Sequence, residues 1–127
     1  MGTAGYVPNF TANGTIYPYR VVRMGASAFT ALTADSPTQV VLGITDGSTR
    51  AFNSTEHATT GGLISLQNGR FVQVTAGGTI AVGDLLKAST DGKVETIGVG
   101  DRAFLQACES GTANAIIWAF RVQTWEI

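Results

Sequence analysis

Apolar and polar residues alternate along this chain in short runs with a period of two, and clusters of Gly, Asn, Asp, Ser and Thr separate the runs. The pattern is clearest over residues 114–123, where Ile116, Trp118, Phe120 and Val122 share one face while Ile117 and Ala119 take the other. Both faces are apolar in the middle of this segment. Such a strand either lies at the centre of a sandwich or barrel, or has one face on a core and the other on a neighbouring subunit. In residues 70–75, Val72 and Val74 share a face opposite Phe71 and Gln73. Further strands are predicted over 15–24, 27–33, 38–45, 63–67, 85–89, 93–97 and 103–108. Pro18 has no amide donor, which places it on an edge or at a bulge.

Four turn signals punctuate the runs: Asn13-Gly14, Asp46-Gly47, Asn68-Gly69 and Asp91-Gly92. Each supplies the positive φ angles of a tight hairpin turn, so a series of antiparallel hairpins is expected. Asp35-Ser36-Pro37 predicts another turn. The pattern predicts an all-β fold, a small antiparallel β-barrel or β-sandwich, with a single domain over residues 15–127. Residues 1–14 show no period and are expected to form an extended arm, with Tyr6 and Phe10 as its anchors. Residues 46–62 are rich in Ser, Thr and Gly, and read as a long surface loop. No long amphipathic helix is evident; a short helix remains open between Ala81 and Ala88 or near Asp101.

Composition changes the picture in one respect. Charged residues make up 13% of the 127 and hydrophobic ones 44%, against about a quarter charged in an average domain. So little charge is expected to be relieved by contacts between subunits. The net charge of -1, with Lys and Arg scattered, argues against nucleic acid and membrane surfaces as partners. The first ten residues lack a secretion signal and no window is apolar enough to span a bilayer, so synthesis in a cytoplasm is expected. The lone cysteine, Cys108, permits no internal disulfide and is expected to be a small buried hydrophobe.

Catalytic, cofactor and metal signals are weak. His57 is the only histidine and falls in the polar loop beside Glu56, where a solvated side chain is expected. No GxSxG elbow occurs, and Gly98-Val99-Gly100 lacks the βαβ context of a dinucleotide site. The carboxylates fall mostly at turns or alternate on strand faces, and Asn9, Asn13 and Asn53 head coincidental Asn-x-Ser/Thr triplets. The expectation is a non-enzyme with no cofactor and no metal.

Residues 76–94, AGGTIAVGDLLKASTDGKV, continue through Arg102, residues 103–107 and residues 111–122. The order is an apolar run, Gly-Asp, an apolar pair, Asp-Gly-Lys-Val, an Ala-rich strand and a small-residue turn before an apolar strand. It resembles the capsid decoration, or cement, proteins of tailed bacteriophages, and residues 40–45 are similar to the strand that precedes the long loop in that group. The resemblance spans about residues 40–122. It implies a β-rich core assembled as a homotrimer, with the major capsid protein as partner and no cofactor. The chain would then sit on the capsid exterior of the virion, stabilise the assembled shell, and be made in the host cytoplasm.

Candidate interface residues are Tyr6, Phe10, Tyr17, Tyr19, Trp118, Trp125 and Ile127. Phe120 is expected in the core, Trp118 in either role, and Trp125 and Ile127 at an interface. The alternative reading is a receptor- or glycan-binding β module of a virion or cell surface, using the 46–62 loop with Tyr17 and Tyr19.

Overall fold

The computed structural model describes residues 9–47 and 58–126, with side chains of the last strand described as far as Val122. Ten strands follow in chain order: β1 (Phe10–Ala12), β2 (Val21–Met24), β3 (Thr30–Thr33), β4 (Gly43–Ile44), β5 (Leu63–Ile64), β6 (Phe71–Thr75), β7 (Leu85–Ala88), β8 (Val94–Thr96), β9 (Arg102–Ala107) and β10 (Ile116–Glu126). The only helical element among the described residues is a 3-10 turn, Thr90–Gly92. The strands form two five-stranded sheets, ordered β4-β2-β3-β1-β5 and β6-β10-β9-β7-β8. The all-β class therefore holds. Named strands pair antiparallel throughout except for β1 with β3.

Each sheet curls until its outer strands are tied together. In the first, Thr45 bridges Leu66, the Gln67 N–H donates to the Ile44 carbonyl at 2.9 Å and the Asp46 N–H to the Ser65 carbonyl at 2.9 Å. In the second, Ala76 bridges Val94 and the Gly77 N–H donates to the Val94 carbonyl at 2.7 Å. These ties use backbone groups that would otherwise stand open to another chain.

Each curled sheet has its own core. The larger gathers Val72, Val74, Leu86, Val94, Leu105 and Ile117 with Ile80; the smaller gathers Phe10, Ile16, Val22, Ala31 and Ile64. Strand β2 is a wall shared between them. Successive side chains of a strand point to opposite faces, so Val21 enters the larger core and Val22 the smaller, and both are fully buried.

Only one of the four turn signals joins two paired strands. Asp91-Gly92, at φ of 64° and 70°, closes the β7–β8 hairpin. Asn13-Gly14 leads from β1 to β2, which are not neighbours, and Asn68-Gly69 carries the chain from the first sheet to the second. Asp46-Gly47 opens the expected loop, whose residues 48–57, including His57, lie outside the described part. A turn dipeptide sets local φ values, while strand partners are chosen by burial elsewhere.

Other differences have local causes. The run 15–24 is strand only from Val21, because Tyr19 takes a φ of 59° just after Pro18. The expected strand 38–45 shrinks to Gly43–Ile44. At Ala81–Asp84 the chain makes a turn instead of a helix: the Asp84 N–H donates to the Ala81 carbonyl, and Asp84 Oδ2 accepts from the Ala81 N–H at 2.9 Å. Of the expected arm, the described portion from Phe10 to Ala12 is a strand between β3 and β5.

Candidate interaction surface

The register of β6, β10 and β9 assembles an apolar stripe on the outer face of the second sheet. Phe71 pairs with Phe120, which pairs with Gln106; Gln73 pairs with Trp118; Thr75 pairs with Ile116. The intervening residues Val72, Val74, Ile117 and Ala119 fill the core beneath. On the outer side Phe71 is 61% exposed, Ile116 48% and Trp118 46%. The Phe71 and Phe120 rings lie 6.0 Å apart at 48°, a tilted aromatic pair.

Two charged residues flank the stripe. The Arg70 guanidinium lies over the Phe120 ring, 5.5 Å from its centroid, in cation–π contact. On the opposite flank of β10, Glu109 Oε2 accepts the Trp118 N–H at 2.8 Å. Among the described residues neither Arg70 nor Glu109 forms an ion pair. The paired charges are elsewhere: Arg20 Nη1 with Asp91 Oδ2 at 3.1 Å, and Lys87 Nζ with Asp101 Oδ2 at 2.7 Å.

A cleft of about 480 Å³ opens where residues 37–42 pass the start of β9 and the middle of β10. Val40, Val41, Leu42, Phe104 and Val122 line it with Arg121. Arg121 is already engaged: its Nε donates to the Gly69 carbonyl at 2.9 Å and its Nη2 to the Gln67 carbonyl at 2.8 Å. Burial pulls its guanidinium below the usual arginine value. Among the described residues no three His, Cys, Asp or Glu side chains gather as metal ligands.

The expected interface residues are dispersed. Phe10, expected as an arm anchor, is 7% exposed, because β1 register turns it into the smaller core against Phe29, with ring centroids 5.7 Å apart. Tyr17 is exposed, and the Arg20 guanidinium lies 5.0 Å from its ring centroid. Tyr19 serves through its backbone: its carbonyl accepts the Thr75 N–H and Oγ1–H, both at 3.0 Å, joining the two sheets. Trp118 is the one that reaches the stripe. Tyr6, Ile127 and the Trp125 side chain lie outside the described part. Cys108, expected to be buried, is exposed, because it follows Ala107 and so points to the outer face beside Trp118. Arg70 and Glu109 carry no sequence signal of their own; the Phe71–Gln73 alternation marks β6, but its pairing with β10 is a matter of register.

A protein of two curled sheets with an apolar outer stripe belongs, by fold, among small all-β modules. The solved structure of the head fiber gp8.5 N base in bacteriophage phi29 is similar, with a TM-score of 0.70 over 90% of this chain and 91% of that chain, at 18% sequence identity. No family model matches this chain. No curated protein matches it either.

Proposed function

We propose that this chain is a structural virion protein of a bacteriophage, which binds the outer surface of the assembled capsid as a homotrimer and stabilises it. The observation that carries this reading is the fold shared with a phage head fiber base along nearly the whole of both chains. The major capsid protein is the proposed partner, and the capsid exterior the proposed location, after synthesis in the host cytoplasm. No catalytic step, cofactor, nucleic acid or membrane belongs to the proposal.

The physics of the surface supports it. The outer strands of each sheet are tied to each other, so adhesion falls to side chains on the faces. The β6–β10 stripe exposes two large aromatics beside an arginine, a composition typical of protein contact sites and suited to the contact between copies that a homotrimer needs. A protein that binds only assembled shells stabilises them by mass action. Three linked copies make later contacts intramolecular and strengthen the hold.

Sedimentation with empty phage shells tests the reading. The protein is expected to pellet with intact shells, stay in solution with dissociated shell subunits, and raise the temperature at which shells rupture. Failure to pellet at micromolar concentration, with intact shells and folded protein, would overturn it.

A further inference from the structure

The β6–β10 stripe carries opposite charges on its two flanks. Arg70 lies beyond Phe120 on the β6 side, and Glu109 beyond Trp118 on the β9 side. Each charge touches the stripe within its own subunit, and neither has an oppositely charged partner among the described residues. The same face therefore holds an apolar centre and both halves of an ion pair, displaced from one another across β10.

Resting on the homotrimer reading, we infer that this face is where copies of the chain meet, with the Arg70 flank of one copy set against the Glu109 flank of the next. Charge complementarity names the occupant. A surface with one sign of charge would call for a different partner, whereas a surface with both signs on opposite flanks fits a rotated copy of itself.

Area sets what else the contact needs. At 61% and 46% exposure for Phe71 and Trp118, with Ile116 at 48%, and with about 150–250 Å² per aromatic side chain, the open apolar centre is on the order of 300 Å². A stable interface covers about 800 Å² on each partner, so the remainder must come from a polar rim. Arg70, Gln73, Gln106 and Glu109 surround the centre in that role. Arg70 is also held in place before contact by its lodging on Phe120, which reduces the ordering cost of association.

Charge reversal tests the inference on the full chain, with oligomeric state read by light scattering and sedimentation in the absence of shells. Arg70→Glu and Glu109→Lys are each expected to weaken association by roughly tenfold or more, while thermal melts show both variants folded. Combining the two reversals should restore association to within about threefold of the wild type, because the pair re-forms with its signs exchanged. An oligomer unaffected by either reversal would overturn this interface and leave the homotrimer reading standing. A wild type that stays a single chain at all concentrations would overturn both, and shell binding by that single chain would still support the capsid reading. Two weakened single variants without rescue would also count against the proposed pairing.

Discussion

Gln67 and Gln73 clasp each other across a sheet edge. The Gln67 Nε2 donates to the Gln73 carbonyl at 2.7 Å, and the Gln73 N–H donates to the Gln67 Oε1 at 2.9 Å. The side chain of Gln67 thus stands in for a strand beside β6, satisfying the backbone groups that β10 does not reach. Its Nε2 also donates to the Thr45 carbonyl at 3.0 Å, its own N–H to the Ile44 carbonyl, and its carbonyl accepts from Arg121 Nη2. One residue ties the closed edge of the first sheet to β6 of the second.

Replacement of Gln67 by Ala should therefore cost about 2 kcal/mol of stability, since part-buried backbone groups lose their partners without gaining free access to water. Chemical denaturation would show this as a lower midpoint at unchanged slope. Gln106→Ala, which removes one exposed bond to the Gly83 carbonyl, should cost about 1 kcal/mol or less. Equal losses for the two would mean that Gln67 is no more than another surface amide.

Gly92 tests how tightly the β7–β8 tip docks on the first sheet. At φ of 70° it leaves room for no side chain: a Cβ would lie 2.8 Å from the Val21 carbonyl oxygen and 2.8 Å from Thr33 Cγ2. Gly92→Ala combines a left-handed backbone penalty of about 1–2 kcal/mol with a backbone clash, so a total of about 3 kcal/mol is expected. Gly83→Ala shares the positive φ but meets nothing within 4 Å, and should lose only the backbone part. A thermal melt that ranks the two variants equally would deny the close approach.

Asp101 should shape the acid limb of the stability curve. The hydrogen bond from Lys87, and then that from the Gly98 N–H, hold its carboxyl below the ordinary value of 3.8. A folded-state value below the unfolded one contributes stability that is present above the unfolded value and is lost as pH falls through the lowered folded value. Asp101→Asn should lower the melting temperature near neutrality, with the difference shrinking as the pH drops below 3.8. High salt should also narrow the gap, because the pair is partly exposed and screened. A difference that persists unchanged at low pH would assign the effect to packing.

The parts of the fold that were legible in the sequence are those decided within a few residues. The two-faced apolar pattern of β10 and the positive φ demanded by Asp91-Gly92 are both of this kind. Thr45 shows the opposite case. It reads as a polar residue at a strand end, yet it is fully buried, its Oγ1 accepting the Arg20 N–H at 3.0 Å and donating to the Tyr17 carbonyl at 2.7 Å. Those partners lie 25 and 28 positions away, so nothing near Thr45 announces them. The candidate surface divides likewise: parity puts Trp118 and Phe120 on one face but does not say which face is the core. Phe120, expected in the core, therefore lies on the stripe against Phe71 and Arg70 while Ile117 and Ala119 take the core. Phe71, Arg70 and Glu109 join only through the registers of β6 and β9.

Ile117 and Trp118 are adjacent in sequence and opposed in consequence. Ile117 is 2% exposed in the larger core, and Trp118 is 46% exposed on the stripe. Ile117→Ala removes buried methyl and methylene groups and should cost about 2–5 kcal/mol. Trp118→Ala should cost the isolated subunit less, because nearly half of that side chain already faces water, and no closed cavity forms when it is removed. For association the order should reverse: loss of the Trp118 ring removes the centre of the proposed contact, and truncating an interface anchor of this type commonly costs about 2 kcal/mol or more, a dissociation constant some thirtyfold weaker. Denaturation and light scattering on the two variants, at matched temperature well below both melts, would separate the roles. If Trp118→Ala unfolds the subunit as readily as Ile117→Ala, or leaves association untouched, the stripe is a packing surface of the monomer and nothing more.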